Sequence, residues 1–171
     1  MQKQIKILLT ILMALALAVS CAKNNPNNPT EDPNTPPDNE WVNNPNFTKL
    51  QQKWKYDNYN GGYDITADKV DDWAETAVNY SVSIKYIKWI SDTAGIIYGQ
   101  YTSEPYWAPG VKGKYYAFAF LNLTETTIEI SGASGDGNYT DTLTEAISKF
   151  TVDNSGKGPY FGVYSKCIVT K

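Results

Sequence analysis

The chemistry open to this chain is narrowed first by two absences. There is no His and no Arg, so all 15 basic residues are lysines. Without imidazole no Ser-His or Cys-His nucleophile pair and no His-containing zinc site can form, and without guanidinium there is no bidentate fork for carboxylate or phosphate. Carboxylates remain, gathered in two places: Asp68, Asp71, Asp72 and Glu75 between two strand-like segments, and Asp136, Asn138 and Asp141 in a Gly-rich loop. Calcium accepts oxygen ligands at such spacing, but neither run has the full set of an EF-hand, and turn formation and solvation explain both. Two carboxylates across a cleft would serve glycoside hydrolysis, yet spacing along a chain does not place them there. These residues predict a protein that is not an enzyme, with no catalytic residues, no metal site and no cofactor.

The two cysteines have different settings. Cys21 ends a segment in which Lys3 and Lys6 precede an apolar run from Ile7 to Leu17, followed by Ala18-Val19-Ser20. That run is too short to span a bilayer of ~30 Å and ends in small residues, as the apolar core of an export signal does. Ala18-Val19-Ser20-Cys21 resembles the bacterial lipobox, with Ala18 where that motif most often has Leu. The resemblance implies cleavage after Ser20, a lipid on Cys21 and a membrane-anchored protein of the bacterial cell envelope, at the outer membrane or cell surface rather than the cytoplasmic membrane. Cys167 falls in an alternating segment, which suits a small buried strand residue.

Removing Lys3 and Lys6 with the leader (1–20) leaves 13 basic residues against 18 acidic ones, a net charge of −5 with no basic block. Nucleic acid is therefore not an expected partner. From 21 to 46 the chain is rich in Asn, Pro, Asp and Glu and buries too little apolar surface to order itself, so it reads as a disordered tether. Trp41 and Phe47 are the exceptions, and docking of one or both on the domain edge is expected. The domain proper is placed at 47–171.

Beyond the tether the periodicity is two, the mark of strands with one buried face. Trp54 and Tyr56 alternate with lysines, Asn60-Gly61-Gly62 permits a tight turn, and Tyr63, Ile65 and Ala67 continue, giving a first hairpin. Val78, Tyr80, Val82, Ile84 and Tyr86 share one phase, but Ile87 and Trp89 take the other, which predicts a β-bulge near Tyr86-Ile87. Gly99 in the returning strand permits strong bending. Tyr116, Phe118 and Phe120 make one face of the next strand bulky, while Ala117 and Ala119 leave the other open to close approach. Ile128 and Ile130 follow. Thr142 and Glu145 form a capping box for a helix with Leu143, Ala146, Ile147 and Phe150 on one stripe, and Tyr160 to Thr170 reads as the last strand.

Seven strands, or eight, in an antiparallel meander with one short helix before the last strand predict an all-β fold, a small up-and-down β-barrel, because closure removes exposed strand edges. Asn46-Phe47 leading into Gln52-Lys53-Trp54-Lys55-Tyr56 resembles the opening of the lipocalins, with Gln52 in place of their Gly. Lys114-Tyr115-Tyr116-Ala117, Asn122-Leu123-Thr124, Ile130-Ser131-Gly132-Ala133, Thr142-Leu143-Thr144-Glu145-Ala146 and Tyr164-Ser165-Lys166-Cys167 resemble small spirochaete-type lipoproteins. The resemblance spans roughly 49–171. It implies a lipid-anchored, lipocalin-like (calycin) barrel and brings no activity with it.

Function is then sought among the aromatics, 13 Tyr and 5 Trp, whose flat amphipathic surfaces suit ligands and protein partners. Trp54, Tyr56, Tyr86, Trp89, Tyr116, Phe118 and Phe120 are candidates for the barrel interior, where filling is favoured over lining a cavity. Tyr98, Tyr101, Tyr106 and Trp107 stand apart, and the loop segment Tyr106-Trp107-Ala108-Pro109-Gly110 is the preferred contact surface. The favoured expectation is a non-catalytic binding module that holds a small apolar ligand or presents this loop to a protein partner. A filled, purely structural or interaction barrel is second, and a carboxylate-based hydrolase a distant third.

Overall fold

The computed structural model describes residues 40–170, so the leader, Cys21 and the tether up to residue 39 lie outside the described residues. A 3-10 turn (Glu40–Asn43) and a short helix α1 (Phe47–Leu50) lead into β1 (Lys53–Tyr56), β2 (Gly61–Ile65), β3 (Lys69–Ala74), β4 (Ala77–Ser91), β5 (Ala94–Ser103), β6 (Tyr115–Leu121) and β7 (Thr127–Gly132). Helix α2 (Leu143–Lys149) precedes β8 (Ser165–Val169). Every strand is antiparallel to the next and β8 returns to β1, so the sheet closes into an eight-stranded up-and-down barrel. The expected all-β architecture, with one short helix before the last strand, is present.

The eighth strand is β3, which the sequence reading left as an acidic connection. Lys69-Val70-Asp71-Asp72-Trp73-Ala74 carries carboxylates on both faces, which hides the period of two. Its pairing is nonetheless regular, with Tyr63 opposite Asp72 and Ile65 opposite Val70. The acidic run therefore does not converge: Asp71 faces outward and pairs with Lys69 at 2.7 Å, whereas Asp72 faces inward.

Two of the register slips along β4 change which residues face the core. One slip at Asn79 leaves Val78 outside and 55 % exposed. A second, between Ile84 and Tyr86, makes Lys85 the extra residue and turns Tyr86 outward while Ile87 and Trp89 face in. Val78 and Tyr86 thus do not share the inner face with Tyr80, Val82 and Ile84, because each bulge inserts one residue against its partner. β8 is shorter than expected: 160–164 approach it as irregular chain in which Phe161 is buried and Val163 is 81 % exposed. Cys167 is a buried strand residue, and burial pushes its thiol up to about 12.

Ala117 and Ala119 do admit a close neighbour. α2 packs outside the barrel against β5 and β6, over these alanines and beside Tyr98, whose hydroxyl donates to the Phe150 carbonyl at 2.7 Å. The capping box is present, Thr142 accepting from the Glu145 amide and Glu145 from the Thr142 amide. Trp41 and Phe47 both dock, in edge contact at 5.0 Å and buried in the core. Residues 40–46, assigned by composition to the tether, are therefore carried onto the barrel by one buried indole.

Candidate functional site at the barrel mouth

The connections alternate between two ends. α1 and the β2–β3, β4–β5 and β6–β7 turns share one end. It is closed: Leu50 and Trp54 are fully buried, the Trp54 indole donates to the Leu50 carbonyl at 3.0 Å, and Gln52 ties α1 to the Glu125 carbonyl at 3.1 Å. Trp89 meets Phe120 edge-on at 5.2 Å, and Phe120 lies where a Cβ on Gly95 would stand, 2.8 Å away. Glycine at 95 makes room for that ring.

The β1–β2, β3–β4, β5–β6 and β7–β8 connections share the other end, and here the inner face changes chemistry. Tyr63, Asp72 and Tyr80 occupy directly paired positions on β2, β3 and β4, so their side chains stand side by side on the inner face, at about 5 Å between neighbouring Cβ atoms. Tyr56 meets Tyr63 at 5.7 Å, Tyr80 meets Tyr101 at 5.6 Å and Tyr116 at 6.3 Å, and Phe118 forms the floor, 5.5 Å from Tyr63 and stacked 6.5 Å from Tyr80. Tyr116 is fixed by donating to the Ala133 carbonyl at 2.8 Å. Trp107 lies edge-on to Tyr80 at 6.1 Å, with Tyr106 against it at 4.8 Å.

The loop carrying these two aromatics is built. One Glu104 carboxylate oxygen accepts from the Gly110 amide at 2.9 Å and the Lys112 amide at 3.1 Å, Val111 is buried, and Gly110 and Gly113 take φ of 88° and 84°, which favours glycine. On it Tyr106 is 87 % and Trp107 55 % exposed. Tyr59, Val78 and Tyr139 are also exposed, all in or beside connections at this end.

Asp72 is the ionisable group of the mouth that matters near neutral pH. Burial first, against a lowering hydrogen bond from Asn79 (2.7 Å to Oδ1), pushes its carboxyl up to about 6. Burial likewise raises the phenols of Tyr63, Tyr80, Tyr101 and Tyr116 well above the ordinary range and that of Tyr56 to about 12, so all five stay neutral.

Of the residues singled out from sequence, Tyr56, Tyr101, Trp107, Tyr116 and Phe118 come together at or beneath the mouth, and Tyr106 stands free above it. Trp54, Trp89 and Phe120 belong to the closed end. Tyr86 and Tyr98 do not join either group: they stack on each other at 5.9 Å on the outer face near α2, Tyr86 because the Lys85 bulge reverses its phase and Tyr98 because it alternates with the inward Gly99 on β5. Tyr63 and Tyr80 carry no signal that selects them as site residues, and Asp72 stands out only as part of an acidic run; the alternation of Val70, Asp72 and Ala74 is the signal that places Asp72 inward. The second acidic run is dispersed, Asp141 pairing with Lys114 and Asn138 donating to the Ala133 carbonyl at 3.2 Å. Grooves of about 280 Å³ between β7 and β8 and about 80 Å³ beside Trp73 lie on the outer barrel wall, the second reaching the β3–β4 connection, and neither is lined by Asp72 or the inward tyrosines.

Fold and site together define the class: a closed, eight-stranded antiparallel barrel with one packed end and one aromatic, acidic mouth. No family model, curated protein or solved structure matches the chain.

Proposed function

We propose that the protein is a non-catalytic binding module of the bacterial cell envelope, a lipocalin-like barrel held to a membrane by lipid on Cys21, which presents its aromatic mouth to a partner protein. The observation that carries this reading is the Tyr106-Trp107 pair, largely exposed on a loop pinned by the two Glu104 hydrogen bonds. A pinned loop gives up little conformational freedom on binding, and large aromatics are the usual anchors of an interface. The packed interior favours a partner over an enclosed apolar cargo, since Trp54, Phe118, Phe120, Ile87 and Ile97 each expose 1 % or less. Lysines at 53, 55, 69, 85 and 88 on the outer strand faces would be costly against lipid, which favours a barrel standing in water.

The test is photo-crosslinking in the living bacterium from position 106, with position 88 on the outer face of β4 as control. A discrete protein adduct from 106 alone, lost in Trp107→Ala, is expected; equal adducts from both positions, or none, would refute the reading. Anchoring is checked separately by incorporation of labelled fatty acid, which Cys21→Ser should abolish.

A further inference from the structure

We propose that the barrel mouth is a receptor for an organic ammonium group, held by the Asp72 carboxylate among the rings of the surrounding tyrosines. This deepens the binding-module reading and rests on it, by specifying the chemistry that the mouth accepts.

The first ground is charge without a counter-charge. Asp72 Oδ1 accepts from Asn79, and Oδ2 accepts no hydrogen bond from the described residues. The ion pairs among the described residues are Lys69 with Asp71 and Lys114 with Asp141, so none of the described lysines pairs with Asp72, and the chain has neither Arg nor His. A half-buried carboxylate is stabilised by a cation that meets it, and none of the described residues supplies one, so a cation entering the mouth finds this charge unpaired.

The second ground is what surrounds the carboxylate. Tyr56 on β1, Tyr63 on β2, Tyr80 and Asn79 on β4, Tyr101 on β5 and Tyr116 on β6 converge on this end of the barrel, and all remain uncharged near neutral pH. Aromatic faces attract cations through their quadrupole, most strongly where water is partly excluded. Aryl walls with one carboxylate suit a cation whose charge is spread over alkyl groups. A calcium ion would need six or more oxygen ligands, and the inner face at the mouth offers a single carboxylate, Asp72. Trp107, edge-on to Tyr80 and half-exposed, is placed to cover the bound group.

An ammonium group reaches such a mouth either on a small amine or on the lysine side chain of a partner protein. The full chain is titrated by calorimetry with choline, n-butylammonium and Nα-acetyl-lysine methylamide, and with 3,3-dimethyl-1-butanol, the uncharged isostere of choline. Choline or butylammonium should bind about tenfold or more tightly than the isostere, and stronger binding of the lysine derivative than of both would identify a protein side chain as the source. Asp72→Asn should erase the preference for charge and Asp72→Glu should retain part of it. For the wild type, ammonium binding should weaken about tenfold between pH 7.5 and pH 5, because Asp72 takes up a proton at about 6. Binding of the isostere as tight as that of choline, failure of all three ammonium probes to bind, or an Asp72→Asn variant that binds like the wild type would overturn the proposal. The isostere and pH comparisons need no variant and stand even where Asp72→Asn does not fold. If these fail while the adduct at position 106 persists, the partner-binding reading stands without the ammonium.

Discussion

The closed end and the mouth of this barrel are built from the same kind of residue and put it to opposite uses. At the closed end Trp54, Phe120 and Leu50 are essentially without exposure; the Trp54 indole donates to the Leu50 carbonyl, while the buried Trp89 indole nitrogen has no partner among the described residues. At the mouth the rings carry hydroxyls, a carboxylate stands among them, and Tyr106 and Trp107 face solvent. Phe120, with no polar atom, and Trp54, with a satisfied one, stabilise by burial alone. Rings with a polar tip keep an affinity for something else. The binding proposed for the mouth is thus separable from the packing of the closed end, and if the two ends are independent each can be altered with little effect on its opposite.

The sharpest way to break that division is Trp54→Ala. It empties a fully buried site and leaves the Leu50 carbonyl without its donor, so a loss of about 3–5 kcal/mol in urea unfolding is expected. Where the variant folds, ammonium binding at the mouth should be preserved; parallel loss of binding and stability would show that the two ends act as one unit. Gly99→Ala probes the wall between them. A Cβ there would lie 2.4 Å from Val82 Cγ1 and 2.6 Å from the Ser83 carbonyl, part of it against backbone that cannot rotate away. A destabilisation of about 1–3 kcal/mol should follow, measured by the same unfolding midpoint.

The mouth makes a smaller contribution of opposite sign. Asp72 has a folded pKa of about 6 against an ordinary value of 3.8. The folded state therefore holds this proton more tightly than the unfolded state. The stabilisation is complete below about pH 4 and is lost as pH rises through about 6. Discounted for the solvent that reaches the carboxylate, the change is on the order of 1 kcal/mol. Unfolding midpoints of wild type and Asp72→Asn at about pH 4 and pH 7.5 should differ by this amount, the variant gaining at the higher pH. Equal pH profiles would show that the fold does not desolvate the carboxylate.

The fold was legible because period-two alternation survives wherever one face of a strand is apolar. The β1–β2 hairpin, β5, β6 and β7 are legible this way, and the Thr142–Glu145 capping box marks α2 by its own pattern. β3 was not legible, since its inward Asp72 and outward Asp71 present no contrast between faces. The residue that gives the mouth its charge lies in the strand that pattern reading missed, and for the same reason: a buried carboxylate breaks the pattern that announces burial. Bulges hid the rest. Tyr86 carries the phase of Ile84 in the sequence and lies on the other face of the sheet because Lys85 intervenes. Tyr106 and Trp107 were accessible to reasoning without any period, since a Pro- and Gly-bounded loop gives large rings little to bury against.

The smallest effect on stability is expected where the effect on binding is largest. Tyr106 is 87 % exposed, and its contact in the fold is the edge of Trp107 at 4.8 Å, so Tyr106→Ala should move the unfolding free energy by no more than about 0.5 kcal/mol. Trp107→Ala should cost somewhat more, because Trp107 also rests on Tyr80. If the loop is a contact surface, Tyr106→Ala should nevertheless weaken partner capture, read as loss of the adduct formed from a crosslinker moved to position 59 on the same rim. A destabilisation of 2 kcal/mol or more would mean that Tyr106 packs in solution and is not held out for a partner. An unchanged adduct with unchanged stability would remove it from the interface and leave Trp107, edge-on to Tyr80, as the anchor.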